Sequence, residues 1–181
     1  YCCRDHRTTD LMRNLSAELL ALGITQQMVD NCSLPSREEA TRLVEAGEDI
    51  FGRPQKMTPA TLTAWQEMQA AATADGIDLQ LVSAYRSIEY QCEVIRKKLQ
   101  DGRTIEDILC ANAIPGHSEH HTGCALDLHS GDNIPLDEAF EDTLAFTWLN
   151  DNASRFNFYL SYPRDNADGI NYEPWHWCSQ E

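Results

Sequence analysis

Four of the six histidines of this chain fall within one stretch, "PGHSEHHTGCALDLHS", which runs from Pro115 to Ser130. Histidine is the commonest protein ligand of metal ions, so such a cluster indicates a metal site. The residue order is not the HExxH of helical zinc peptidases, in which one helix supplies two ligands. The ligands must therefore come from this segment and from a distant part of the chain, and the fold has to bring the two together.

The end of this stretch has the alternation of a β-strand. In "GCALDLHS", Gly123, Ala125 and Asp127 face one way, and the bulkier residues between them face the other. Asp127 is the best second ligand, because its small neighbours leave room for a metal and a substrate beside the backbone. His120 precedes the glycine turn, where a bend can bring it over the same face. A catalytic zinc site takes three protein ligands, so one more is needed.

A third candidate, His176, lies downstream in "EPWHW", with Glu173 three residues before it. Residues three apart on a regular strand point to opposite faces, so the chain must bulge or turn if both serve one site. Pro174 suits a turn, because it has no N–H for a sheet and favours an extended residue before it. The alternative is structural, since a histidine between two tryptophans is more often a packing residue. Spacing alone leaves both interpretations open.

The first half of the chain has mainly helical patterns. A segment from Leu11 to Leu22 has leucines at helical spacing, with Thr9 or Asp10 as its cap. "SREE" from Ser36 has the form of a capping box and predicts a helix that ends before Gly47. Thr58 followed by proline predicts the start of a further helix.

Strand patterns come later, starting with "DLQLVSAYRS" and ending with "YEPWHWC". Helices early and strands late favour an α+β fold over a doubly wound sheet. We therefore expect a small antiparallel sheet that carries the metal site and packs against helices. Residues 1–57 are expected to form a helical N-terminal extension on a core of residues 58–181, in a single compact domain overall.

Composition limits the partners. The 181 residues carry a net charge of −15, which disfavours nucleic-acid binding and means that an anionic substrate must be received by a few local arginines. No run approaches eighteen apolar residues, so we expect no membrane span. Seven cysteines without a CxxC pair weakly favour a reducing, cytoplasmic compartment, with the periplasm or cell envelope as the alternative if the protein is exported.

Three ordered motifs resemble the VanY-type zinc D-alanyl-D-alanine carboxypeptidases, which belong to a wider group with lysostaphin-like peptidases and hedgehog domains. "SAYRSIEYQ" is similar to the SxYRSxxxQ of this family, and "SEHHTGCALD" is similar to its SxHxxGxAxD. "EPWHW" supplies the ExxH of the C-terminal strand, and a Tyr162–Pro163 pair precedes it. Together these motifs cover the chain from about Leu79 to Trp177.

The resemblance implies that His120, Asp127 and His176 bind one Zn²⁺ ion per chain. It also implies that Glu173 is the general base and that Arg86 faces the scissile carbonyl or the substrate carboxylate.

Further residues follow from the same resemblance. Ser83, Gln91 and Ser118 are implied to line the substrate pocket. The remaining histidines of the central stretch fall outside the ligand pattern, and we expect them around the site or on the surface: His117, His121 and His129.

The implied function is a zinc metallopeptidase that removes a terminal D-alanine from peptidoglycan stem peptides or their precursors through a zinc-activated water. One alternative is a peptidoglycan endopeptidase of endolysin type, although those relatives tend to carry Asp where this chain has Glu173. Another is a catalytically silent zinc-holding interaction domain, against which the presence of both Glu173 and Arg86 argues. The choice between D,D- and L,D-specificity stays open, as does the oligomeric state.

Overall fold

The computed structural model of this chain describes residues 15–131 and 133–180 and confirms the α+β class. Its elements in chain order are α1 (residues 15–21), α2 (Gln26–Asp30), β1 (Val44–Glu48), β2 (Pro54–Met57), α3 (Pro59–Ala74), β3 (Gln80–Ser83), α4 (Ile88–Gln100), α5 (Ile105–Leu109), β4 (Ala125–His129), α6 (Leu144–Asn152), β5 (Phe158–Leu160) and β6 (His176–Ser179). Three 3₁₀ turns lie between them: Glu119–Thr122, Glu138–Asp142 and Ala153–Phe156. The expected caps Thr9 and Asp10 lie outside the described residues. No helix in the described ranges is long and apolar enough to cross a bilayer.

A four-stranded antiparallel sheet of order β3-β4-β6-β5 forms the centre of the molecule. Its register places Ser83 opposite Asp127 and Asp127 opposite His176. Residues directly opposite each other on antiparallel strands have Cβ atoms about 5 Å apart. One lateral row of the sheet therefore brings together side chains that are far apart in sequence.

Helix α3 covers the sheet and forms the main core. Its N-cap Thr58 accepts a hydrogen bond from the Thr61 N–H, and proline occupies its first turn, as the sequence predicted. Trp65 and Met68 are buried from this helix together with Leu126 and Leu128 of β4. A second core joins α1 to α4 and α5, so the N-terminal part of the described chain packs on the domain.

The helix predicted from Ser36 is wrong. Residues 35–40 have no regular secondary structure, and Val44–Glu48 forms strand β1, which pairs antiparallel with β2. The Glu39 carboxylate instead accepts a hydrogen bond from the Ile88 N–H at 2.5 Å, at the start of α4. The Ala40 N–H donates to the His121 carbonyl at 2.8 Å. Glu39, one of the two residues that suggested a capping box, is thus used in a tertiary contact, and such long-range contacts override the local signal.

Gly123 ends the 3₁₀ turn Glu119–Thr122 in the left-handed conformation, with φ +71°. A Cβ at this position would lie 2.9 Å from Leu43 Cδ2 and 3.3 Å from the Thr58 backbone nitrogen. The interpretation of Gly123 as a residue that leaves room for the metal is therefore wrong. Glycine is required because the turn packs tightly against the segment that leads into α3.

We expect Gly123→Ala to lower the free energy of unfolding by about 2–4 kcal/mol, because it adds a steric clash to the cost of left-handed backbone. Gly76→Ala is the matched control, because Gly76 has φ +78° but no atom within 4 Å of the added Cβ. The control should lose only about 1–2 kcal/mol. Denaturant unfolding of the two variants measures the difference, and equal losses would contradict the packing argument.

Candidate metal centre and active-site cleft

Three buried side chains meet on the central row of the sheet: His120, Asp127 and His176. The Asp127 carboxylate lies between the two rings, with Oδ2 3.2 Å from His120 Nε2 and Oδ1 3.0 Å from His176 Nδ1. One ligand atom from each residue lies within 4.8 Å of the other two. The predicted ligand set is therefore brought together in space.

The 3₁₀ turn Glu119–Thr122 positions His120. The Ser118 hydroxyl caps this turn by accepting a hydrogen bond from the His120 N–H, and Gly123 ends it. His120 Nδ1 is 2.6 Å from the Ala84 carbonyl oxygen, which can only accept, so Nδ1 carries the proton. Burial lowers the pKa of His120, although Asp127 opposes this. The ring is therefore neutral, and its Nε2 lone pair faces Asp127.

A turn from Glu173 to His176 positions the second ring. The His176 N–H donates to the Glu173 carbonyl at 3.0 Å, and Pro174 occupies the second position, which suits its fixed φ. This is the turn that the sequence required if Glu173 and His176 were to serve one site. It places the two side chains on the same side of the sheet, with Glu173 Oε2 3.8 Å from His176 Nδ1.

The His176 ring lies between two carboxylates. Its Nδ1 faces Asp127, and its Nε2 lies 3.0 Å from Glu119 Oε2. Burial lowers the pKa of His176, but hydrogen bonds to Asp127 and Glu119 outweigh it and raise the pKa to about 10. In the metal-free protein this ring is therefore an imidazolium. A metal ion bound at Nδ1 displaces that proton, as ligation by histidine requires.

The donor set fits a metal ion with an open coordination position. Burial raises the pKa of Asp127, but the hydrogen bond and positive charge of His176 oppose it, and the pKa is lowered, so the carboxylate stays ionised. In tetrahedral zinc sites neighbouring ligand atoms are about 3.3 Å apart, as follows from Zn–N and Zn–O bonds of about 2.0–2.1 Å. The 3.2 Å contact of Asp127 Oδ2 with His120 and the 3.0 Å contact of Oδ1 with His176 are each close to this spacing, one for each oxygen of the carboxylate. Two imidazoles and one carboxylate are also a donor set of catalytic zinc sites.

Glu173 is a buried carboxylate beside the three ligands. Burial is the main cause that raises its pKa to about 7, and the negative charge of Asp127 adds to this, whereas His176 and Arg86 oppose it. A carboxylate with such a pKa accepts and returns a proton near neutral pH. The side chain also lines the cleft described below.

Arg86 lies beside the Asp127 carboxylate, with its Nη2 3.8 Å from Asp127 Oδ2. Its guanidinium donates to Gln91 Oε1 at 3.0 Å and to the Ser83 hydroxyl at 3.1 Å. Gln91 in turn donates to the Ala113 carbonyl at 2.9 Å. Ser83 and Gln91 therefore hold Arg86 in place, and both also line the cleft described below.

A cleft of about 510 Å³ opens over the centre. Ser118 is one of its lining residues, and so are three cations besides Arg86: Arg53, Lys98 and Arg103. Burial and the charges of Arg103 and Arg86 lower the pKa of Lys98, whose ammonium group donates to Asn112 Oδ1 at 3.0 Å. A cleft rich in cations on a chain of net charge −15 is suited to an anionic ligand.

The other three histidines of the central stretch have separate contacts. The His121 ring donates from Nδ1 to the Arg86 carbonyl at 2.6 Å and accepts at Nε2 from the Gly116 N–H at 3.1 Å. His117 Nδ1 contacts the Leu34 carbonyl, and His129 Nε2 contacts the Gly131 carbonyl. In the part of the chain that the structure describes, none of the three joins the metal-binding group.

Sequence reasoning missed Glu119. Its carboxylate accepts from the Ser161 hydroxyl at 2.6 Å, pairs with Arg37 at 3.3 Å and contacts His176 Nε2. Burial raises the pKa of Glu119, but these partners lower it to about 2. The available signal was chemical, since metal-binding histidines commonly donate their second N–H to a carboxylate, and Glu119 directly precedes a predicted ligand.

Comparisons with known proteins agree with this geometry. Residues 54–179 match the VanY family model, described as D-alanyl-D-alanine carboxypeptidase. The chain is 38% identical over 118 residues to the putative carboxypeptidase YodJ of Bacillus subtilis, a match that covers 62% of this chain and 42% of YodJ. The chain thus spans less than half the length of the curated relatives it matches first.

Solved structures give the same result. The LdcB LD-carboxypeptidase superposes with a TM-score of 0.70 at 33% identity, covering 80% of this chain and 71% of that one. A Zn(II) complex of the vancomycin-resistance D,D-pentapeptidase VanY superposes with a TM-score of 0.57 at 25% identity, covering 83% of this chain and 80% of that one. Because the family model matches more than half of the sequence and its motif residues converge on one centre, the chain belongs to the VanY family of D-alanyl-D-alanine carboxypeptidases.

Proposed function

We propose that this chain is a zinc-dependent carboxypeptidase that removes a terminal D-alanine from peptidoglycan stem peptides or their precursors. The observation that carries the proposal is the convergence of His120, Asp127 and His176 at the floor of a cleft that also contains Glu173 and Arg86. Three ligands would hold one zinc ion per chain, a carboxylate with a raised pKa would move protons, and a fixed cation would bind negative charge.

The two carboxylates of the centre have different tasks in this proposal. When bound, zinc lowers the pKa of a coordinated water and polarises a carbonyl group. Asp127 stays ionised and serves as a ligand, whereas Glu173, in its less favourable environment, accepts the proton of the attacking water and passes it to the leaving amine. Environments that separate the pKa values of two nearby carboxylates are typical of acid–base catalysis.

Arg86 stabilises negative charge at the reacting group. Its guanidinium is always protonated, and Ser83 and Gln91 fix its orientation before substrate arrives. Such a preorganised donor is typically worth about 3 kcal/mol in the transition state. Lys98 and Arg103 extend the positive charge along the cleft, which supports binding of a peptide with a free terminal carboxylate.

The terminal D-alanine is the part of the substrate that the relatives share. LdcB is named an LD-carboxypeptidase, and the zinc-bound VanY is named a D,D-pentapeptidase. A tetrapeptide stem and a pentapeptide stem both end in D-alanine, so the proposal includes both. The residue on the other side of the scissile bond distinguishes the two specificities.

The direct test incubates the purified protein with tetrapeptide and pentapeptide stems and identifies the released residue by mass. We expect release of D-alanine from at least one stem, loss of release with a chelator, and recovery when zinc is restored. The same peptides with an amidated C-terminus are the control, because the cationic cleft then loses its carboxylate partner. Equal cleavage of the amidated peptides, or cleavage within the stem, would favour an endopeptidase.

His120→Ala should abolish stoichiometric zinc binding and activity, because it removes one of three protein ligands from the site. His117→Ala is the matched control, since His117 lies in the same segment and contacts the Leu34 carbonyl. Zinc content after dialysis, measured by atomic absorption, should be near one per chain in the control. A His120→Ala protein that retains one zinc ion would show that the ligand is misassigned.

Glu173→Gln should keep the zinc and lower kcat by about 10²- to 10⁴-fold, because the amide cannot accept the proton of the attacking water. Glu93→Gln, an exposed change on α4, should leave kcat unchanged. Zinc content and steady-state kinetics of both variants measure the effect. Turnover of Glu173→Gln within a few-fold of the parent would exclude Glu173 as the base.

A further inference from the structure

The segment before the family match lies against the metal-site loop. The Arg37 N–H donates to the Gly116 carbonyl at 2.7 Å, and the Ala40 N–H donates to the His121 carbonyl at 2.8 Å. These two hydrogen bonds fix residues 37–40, which precede the start of the family match at Pro54, on the loop that carries His120. Because backbone hydrogen bonds hold this segment at Arg37 and at Ala40, the fold determines where the Arg37 side chain starts.

The Arg37 guanidinium approaches the metal centre through one intermediate residue. Arg37 Nη2 lies 3.3 Å from Glu119 Oε1, and Glu119 Oε2 accepts from the Ser161 hydroxyl at 2.6 Å. The same Oε2 lies 3.0 Å from His176 Nε2. Glu119 thus uses one carboxylate oxygen for the cation and the other for the hydroxyl and the ring. Its side chain is 15% exposed, so water screens these contacts weakly.

We infer that Arg37, Glu119 and Ser161 form an outer network that fixes His176 as a metal ligand and makes the N-terminal segment part of the metal centre. This inference rests on the proposed zinc site. With Nε2–H donated to a carboxylate, Nδ1 is the nitrogen that faces Asp127 and becomes the ligand once a metal ion displaces its proton. Such a carboxylate partner fixes the tautomer and the orientation of the ring and increases the basicity of the ligating nitrogen.

Arg37 and Ser161 fix the carboxylate of Glu119, and Glu119 in turn fixes the ring of His176. The ion pair with Arg37 and the hydrogen bond from Ser161 fix the orientation of the Glu119 carboxylate at His176 Nε2. Ser161 directly precedes Tyr162, whose ring lies 4.8 Å from the ring of His176, so the same segment supports the ligand by packing. All three residues act through His176 and are positioning residues, because none of them reaches the reacting atoms.

An ordinary ion pair is the competing explanation. Exposed ion pairs contribute little to stability, and the Arg37 side chain is 35% exposed. If the Arg37–Glu119 pair served only the stability of the fold, its removal would lower the unfolding temperature and leave zinc affinity unchanged. If the pair belongs to the network, its removal should change zinc affinity more than it changes the unfolding temperature.

The test measures zinc affinity by competition with a chromophoric chelator, together with the thermal unfolding of each apoprotein. Glu119→Gln should weaken zinc binding by about 10- to 100-fold, the effect usual for outer-sphere partners of metal ligands, and Glu119→Ala by more. Arg37→Met should weaken zinc binding less than the Glu119 variants do, but clearly more than Arg42→Met does. Arg42→Met is the matched control, because it removes the same charge from an exposed position in the same segment.

Two further measurements separate the possible failures. Ser161→Ala keeps every charge and removes only the 2.6 Å hydrogen bond, so it tests the network if Glu119→Gln does not fold. Cobalt(II) substitution gives visible bands that should shift in Glu119→Gln and stay unchanged in Arg42→Met. Zinc affinities within twofold of the parent in Glu119→Gln, Arg37→Met and Ser161→Ala would overturn the inference. A parent protein that binds no zinc would overturn the proposed function itself.

Discussion

The burial of one carboxylate is the constraint on which the rest of this structure depends. Asp127 lies in the central strand β4, in which all five residues are buried, and it is 4% exposed. An isolated charge at such a position is strongly unfavourable unless partners surround it. His176 and Arg86 supply positive partners, from the start of β6 and from the segment between β3 and α4, and the His120 ring lies beside the carboxylate from a turn before β4. The fold can therefore be described as the arrangement that delivers three nitrogen-bearing side chains to one aspartate.

This arrangement also explains why the centre is poised for a metal ion. A neutral His120 and an ionised Asp127 leave two lone-pair donors directed at a common point, and only the proton on His176 stands in the place of the cation. The charge that stabilises Asp127 in the metal-free protein is exchanged for the charge of the ion when metal binds.

The sequence predicted the parts of the site that depend on local patterns. Alternation in "GCALDLHS" gave strand β4, and the three-residue spacing of Glu173 and His176 required the turn that Pro174 supports. The prediction failed where distant contacts decide the conformation. The segment after Ser36 forms no helix, because the N–H groups of Arg37 and Ala40 bond to Gly116 and His121 and the Glu39 side chain bonds to the start of α4. No local signal reveals those partners.

Glu119 escaped prediction for the same reason. Its partners Arg37 and Ser161 lie 82 and 42 residues away, so only the folded chain shows that it reaches past its neighbour His120 to the opposite ring. For Gly123, the sequence showed that a small residue is needed, but the predicted reason was wrong. Its missing side chain makes room for Leu43 and Thr58, not for a ligand.

The turn between Glu173 and His176 fixes the distance between these two side chains. Only two residues separate Glu173 from His176, and a backbone hydrogen bond of 3.0 Å closes the turn between them. If the sheet flexes or the cleft widens around a bulky peptide, Glu173 and His176 would move together. The distance between the Glu173 carboxylate and the His176 ring is therefore set by four consecutive residues, so a change in the walls of the cleft leaves it unaltered.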